Sequence, residues 1–181
     1  MADPRNIIAR QMEASGATLL LAFEPVSDEE FYAANATGFS AAWTIGHLAC
    51  VDDLFSSWLC GGRLLLDHDF HKVFNETSSG TAPDPGVRRA AAEKYPKAEL
   101  LLKFRQARVK ALRVLSTFST AQWDTEAPPG TPLSLPTGGS VWEHLGRHVD
   151  WHLGELAGSM KRFEGTYTLN MAPHYFYVPP E

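Results

Sequence analysis

The sequence predicts an all-α fold, a four-helix bundle with a long crossover connection between its second and third long helices. Three observations predict it. Four stretches, near 4–23, 40–60, 97–118 and 140–161, carry apolar residues at helical spacing. Convincing alternating strand patterns are few. The link between the second and third stretches, 61–95, is much longer than the turns that join simple antiparallel neighbours. The 181 residues read as a single domain, 1–181, long enough to bury a real core and without internal repeats.

Each element has its own signal. Asp3-Pro4 has the form of an N-cap followed by proline in the first turn. Ile8, Met12, Leu19 and Phe23 then mark an apolar stripe, weakened by Gly16 and stopped by Pro25. Ser27 with Glu30 is a capping-box pattern for a short turn through Phe31 and Tyr32. The second long helix is expected from near Ser40 to about Cys60. Trp43, His47, Leu54 and Trp58 make it amphipathic, and Gly61-Gly62 ends it.

Residues 63–95 read as irregular: an apolar Leu64-Leu65-Leu66 piece, the polar run NETSSGTAPDPG, and a short helix around Val87 to Glu93. Connections this long often cross over a fold or cover a site. His68 and His71, within it, are expected to face solvent. Pro96 opens the third long helix, Lys97 to about Phe118. Leu101, Phe104, Arg108, Ala111, Leu112 and Leu115 lie along one side, and the arginines and lysines fall mainly toward solvent. Ser119 and Gln122 suggest one more capped turn, and APPGTPLSLPTGG is a loop. Ser140 with Glu143 forms a capping box for the fourth long helix, Ser140 to Lys161. The C-terminal run is expected to pack on the bundle, because Tyr175, Phe176 and Tyr177 together would be unfavourable in water.

Composition narrows the function. Apolar residues make up 44% and charged residues 20%, which is globular rather than disordered. A formal net charge of -5 argues against a generally basic, nucleic-acid-binding surface. No apolar run approaches the roughly 20 residues that span a membrane. The first residues lack the basic-then-apolar pattern of a secretory signal. Cys50 and Cys60 fall on one predicted helix, about 15 Å apart, too far to bridge. A reduced, cytoplasmic protein is expected.

The chemistry gathers on histidines. His144, His148 and His152 recur every four residues on the last helix, so neighbours share a face and a pair can hold one metal ion. His148 and His152 sit at the edge of the stripe formed by Val141, Leu145, Val149, Leu156 and Met160. His47 has a similar place on the second helix, among Trp43, Ile45 and Leu48. Two ligands from one helix and one from another would make a three-histidine site with an open position, the arrangement of a catalytic metal centre. By spacing alone His144 competes with His152 as the partner of His148. A bundle whose histidines merely satisfy core hydrogen bonds is the plainer reading.

Other groups carry weaker signals. Cys50 reads as a small buried residue before it reads as a thiolate. Asp52 and Asp53 are placed on the helix surface, and Asp150 on the solvent face. Glu155, one turn after His152, is either an exposed helix carboxylate or a group that orients a ligand or acts as a base. His174 lies in the tail. Gly-rich phosphate loops and Ser/Cys nucleophile motifs are absent.

WTIGHLACVDD in the second long helix and HVDWHLGEL in the fourth resemble the DinB/YfiT-like superfamily. The resemblance implies a four-helix bundle and three metal-binding histidines. Trp43 and His47 match a W-x-x-x-H-hydrophobic motif. His148, His152 and Gly154 match an H-x-x-x-H-hydrophobic/basic-G-Q pattern. The resemblance thus implies His47, His148 and His152 as the metal ligands and leaves His144 out. Glu155 stands where the family usually has Gln, and Leu153 where many members carry Arg.

Similar proteins include S-transferases that use mycothiol, bacillithiol or glutathione, a mycothiol-dependent isomerase, and many proteins of no known activity. The implied function is activation of a low-molecular-weight thiol or water by a divalent metal, zinc or nickel, for attack on a small electrophile. Trp43, Trp151 and the 61–95 excursion are candidate pocket walls. The alternative is a non-catalytic, stress-related or partner-binding bundle with a vestigial or structural metal site. A homodimer is a candidate assembly, and neither nucleic acid nor membrane is an expected partner.

Overall fold

Caps and buried charges decide where the chain turns. In the computed structural model, residues 3–34, 39–60, 62–75, 90, 92–132 and 134–159 are described. Asp3 accepts the Arg5 backbone N–H at 3.0 Å, and α1 runs Pro4–Phe23. Ser27 accepts the Glu30 N–H at 3.2 Å and opens α2, Asp28–Tyr32. The Ser40 hydroxyl accepts from the Trp43 N–H at 3.1 Å at the start of α3, Ala41–Cys60.

The first part of the crossover contains a helix. Asp67 accepts the Phe70 N–H at 2.7 Å and caps a helix, α4, over His68–Asn75. This corrects the expectation of irregular chain here. The eight residues are too few for a long periodic signal, yet Phe70 and Phe74 stack one turn apart and are both fully buried. The expected helix at Val87 to Glu93 falls largely outside the described residues, as do Met160 and the tail from residue 161, with His174 and its aromatics.

α5 runs Lys97–Thr117, and the Ser119–Gln122 capping box opens the single turn α6, Thr120–Trp123. The last helix, α7, spans Gly138–Ser159. Its cap is Thr137, not Ser140 as the sequence suggests. Ser140 N–H donates to the Thr137 hydroxyl at 3.2 Å, and Thr137 N–H donates to the Ser140 hydroxyl at 2.9 Å. Gly138 and Gly139 are therefore helical. A Cβ on Gly139 would lie 2.3 Å from the Trp123 indole, so the start of α7 can press against α6 only without a side chain there.

The long helices α1, α3, α5 and α7 form the bundle, with α3 closest to α5 and α1 closest to α7. Among the described residues no strand is present beyond one isolated bridge, Glu126 to Thr137. The apolar core falls into two clusters. One contains Leu19, Ile45, Leu48, Phe104 and Val149. The other contains Met12, Val51, Phe55, Leu115 and Trp142. Along α5 and α7 the change from one cluster to the other falls at Arg108 and His148, and on α3 Asp52 follows Val51, the first residue there of the second cluster; all three polar residues are buried.

Two sequence expectations about these charges are corrected. Asp52 and Asp53 are not surface groups: both are buried, because each finds a cation on another helix. Arg108 Nε lies 2.8 Å from Asp52 Oδ2, so this arginine is also internal. Asp53 accepts from the Leu65 and Leu66 N–H groups, from His71 Nε2 at 2.9 Å and from Lys110 Nζ at 2.5 Å. His71 is consequently buried rather than solvent-facing, whereas His68 is exposed.

Burial pushes the Asp53 carboxyl up, but hydrogen bonds from His71, Lys110, Leu66 and Leu65 outweigh it and hold the pKa down to about 2. A folded pKa below the unfolded value of about 3.9 contributes stability above that value, lost as pH falls toward 2. Asp53→Asn is expected to destabilise the fold by about 3 kcal/mol at pH 7 by leaving Lys110 without its carboxylate. It should also remove this acid-dependent loss. Urea denaturation from pH 7 to pH 2.5 measures both, and identical wild-type and variant profiles would refute the role of Asp53.

Candidate metal centre

α3 is the most enclosed helix, with Ala41 through Asp53 buried without a break. His47 lies in that run, one turn after Trp43, and the two rings stack 5.0 Å apart at 8°. The ring is only 7% exposed. Its Nδ1 lies 3.2 Å from the Phe74 carbonyl oxygen. A carbonyl can only accept, so Nδ1 carries the proton and Nε2 presents its lone pair.

α7 supplies the other two rings. His148 and His152 stand one turn apart, with centroids at 4.6 Å and Nε2 atoms at 3.1 Å. His152 Nδ1 lies 2.7 Å from Glu155 Oε2, an acceptor, so His152 Nε2 carries a lone pair, which faces His148 Nε2. The His47 ring meets His148 edge-on at 5.2 Å and His152 at 5.3 Å. One nitrogen from each of the three lies within 4.8 Å of the others.

The donor set fits a divalent ion. Two neutral imidazoles facing each other through Nε2 need either a proton or a shared cation between them. At a zinc–nitrogen length of about 2.0–2.1 Å, tetrahedral ligands stand about 3.3 Å apart, close to the His148–His152 separation. Burial also favours the neutral, ligating form. It pushes His47 down to about 4, with the charge of His152 adding to the effect. Burial lowers His148 well below the ordinary value, and the neighbouring histidines and Arg108 lower it further. His152 is lowered by burial against the opposing pull of Glu155. His148 Nδ1 is buried and has no hydrogen-bond partner among the described residues.

The other candidate residues occupy different settings. His144 stacks 4.6 Å from His148 and lies 5.9 Å from the Phe55 ring, outside the three-nitrogen cluster. Cys50 is fully buried beside the Phe70 carbonyl, and burial pushes its thiol up, away from thiolate chemistry. Glu155 is half-exposed but in contact with His152, so it orients that ring. Asp150 is half-buried. Trp43 is buried against His47, while Trp151 is 64% exposed and parallel to His152 at 6.1 Å. Sequence reasoning misses the Phe74 carbonyl, which no residue type announces. It also misses the Asp53–His71 contact, whose only signal is an acidic pair inside an apolar helix.

The DinB superfamily profile matches residues 11–156, a span that includes all three histidines. The chain belongs to the DinB superfamily. No curated protein and no solved structure matches it. Within this DinB-superfamily chain, no helix among the described residues is long and apolar enough to cross a membrane. The three-histidine cluster is a candidate metal site in a family member whose glutamate, Glu155, replaces the glutamine suggested by the sequence resemblance.

Two outcomes are expected. Because burial keeps these imidazoles neutral below their ordinary value of 6.5, bound Zn2+ should be retained at pH 6 and released as pH falls toward 4. Equilibrium dialysis across this range checks it, and release centred at pH 6.5 or above would contradict it. Glu155→Gln, which keeps an acceptor but removes the charge, should weaken Zn2+ affinity about tenfold. A chelator competition assay showing equal affinity would remove Glu155 from the centre.

Proposed function

We propose that this protein is a metal-dependent enzyme in which His47, His148 and His152 hold one divalent ion, zinc or nickel. One observation carries the reading: two buried imidazoles and one half-buried imidazole, from two helices, converge, and the Nδ1 contacts of His47 and His152 leave each an Nε2 lone pair for a metal ion. A divalent ion there would supply Lewis acidity, lowering the pKa of a thiol or a water. His47 is held by the Phe74 carbonyl and the Trp43 ring, and His152 by Glu155. These supports fix ring orientation before any ligand arrives.

The substrates in this reading are a low-molecular-weight thiol and a small electrophile, with hydrolysis as the variant in which water replaces the thiol. Cys50 is a poor internal substitute, since burial keeps its sulfur protonated. The exposed indole of Trp151 offers an apolar surface beside His152. The two free cysteines fit a reduced, cytoplasmic setting. A second reading is a non-catalytic bundle that binds a partner or a second copy. Exposed Leu102 and Val109, two turns apart on α5, favour it.

His148→Ala is expected to abolish stoichiometric metal while retaining helical content, and His144→Ala to keep the metal. Elemental analysis and circular dichroism check both, and full metal content in His148→Ala would sink the ligand assignment. A panel of thiols with a generic electrophile then tests the activity. Metal-dependent turnover with a thiol supports transfer, and turnover without one supports hydrolysis. No turnover, together with a concentration-dependent dimer, supports the second reading.

A further inference from the structure

α4 is described over His68–Asn75, and the Phe74 carbonyl lies in the last of those turns. The Phe74 side chain is fully buried, so the end of the helix lies inside the protein. Its carbonyl finds the Nδ1–H of His47 at 3.2 Å. The contact serves both groups: the carbonyl gains a donor, and a ligating imidazole gains an acceptor for its other nitrogen.

Two contacts set that distance. On α3, the residue beside His47 is Gly46, and a Cβ there would lie 2.4 Å from two atoms of the Phe74 ring. No side chain can stand that close, so the approach of α4 requires glycine. At the other end, Asp53 gathers the Leu65 and Leu66 N–H groups and His71, which holds the entry to α4 and its second turn on α3. Lys103 of α5 reinforces this: its ammonium lies 4.9 Å from the Phe70 ring centre and 3.4 Å from Asp67.

We propose that α4 is a latch on the candidate metal centre, in which Gly46 admits the Phe74 ring and the Phe74 carbonyl holds His47 in its Nδ1–H tautomer with Nε2 toward His148 and His152. Gly46 and Phe74 are then positioning residues that do not themselves bind the metal. The metal part of this inference rests on the reading under Proposed function; the tautomer part does not.

Long-range proton–nitrogen spectra of 15N-histidine-labelled, metal-free protein at neutral pH read the tautomer directly. His47 is expected as Nδ1–H, and a predominant Nε2–H form would overturn the latch, whether or not any metal binds. Zn2+ affinity by chelator competition reads its consequence. Gly46→Ala should weaken it about 10- to 100-fold with helical content retained. Adding Phe74→Ala, which leaves the carbonyl but removes every ring atom that the Gly46→Ala methyl would meet, should recover most of that loss. Unchanged affinity in Gly46→Ala, or no recovery in the double variant, would overturn the latch. If Gly46→Ala does not fold, the wild-type tautomer alone decides. If wild-type protein binds no Zn2+, the metal reading fails while the tautomer still decides the latch.

Discussion

Asp53 is a carboxylate with no exposure to solvent, and several features of the crossover follow from keeping it charged. An isolated buried charge is strongly unfavourable, so the carboxylate needs donors on every side. It finds them in the backbone of Leu65 and Leu66, in His71 and in Lys110. Lys110 also donates to the Ser57 hydroxyl and, at 2.8 Å, to the Arg63 carbonyl. One acidic side chain on α3 thereby anchors the start of the crossover, α4 and α5. The position of the Phe74 carbonyl, and with it the orientation of His47, is a distant result of that anchoring.

The neighbouring pair, Asp52 with Arg108, acts differently. Among the described residues the buried Arg108 Nη atoms have no hydrogen-bond partner, so this pair is less fully satisfied than the Asp53 cluster. Burial pushes the Asp52 carboxyl up, and Arg108 pulls it back. A buried ion pair of this kind is weak evidence for stability, since desolvation can offset its attraction. Its visible role is geometric. It matches a polar residue of α3 to one of α5 near the change from one apolar cluster to the other, so that sliding either helix would bury a charge against hydrocarbon. His148 lies at the same break in the core along α7. A candidate ligand histidine is placed where the apolar packing of α7 passes from one cluster to the other.

Features that repeat along one helix are legible in the residue order. The four long helices, the Asp3, Ser27 and Ser119 caps, and the shared face of His148 and His152 all follow from spacing and local hydrogen-bonding capacity. The start of α7 is ambiguous at that level because two hydroxyl residues, Thr137 and Ser140, cap one another. Either can begin a helix by its chemistry alone, and Trp123 pressing on Gly139 makes the earlier start compatible with the packing. His71, Asp52 and Asp53 read as solvent-facing for a common reason: a polar residue is buried only where another part of the chain brings it a partner, and that partner lies far away in the chain or on another helix.

The sequence by itself determined an all-helical chain, its apolar stripes and a ladder of imidazoles on one helix, because these are properties of short-range periodicity. The resemblance in WTIGHLACVDD and HVDWHLGEL pointed to His47 as their counterpart. Only the tertiary structure decided that three nitrogens come within 4.8 Å, that Asp53 is the hub of the crossover, and that a backbone carbonyl holds His47. These depend on which helices lie side by side. A carbonyl is present in every residue, so no side chain marks the one that a distant imidazole will meet.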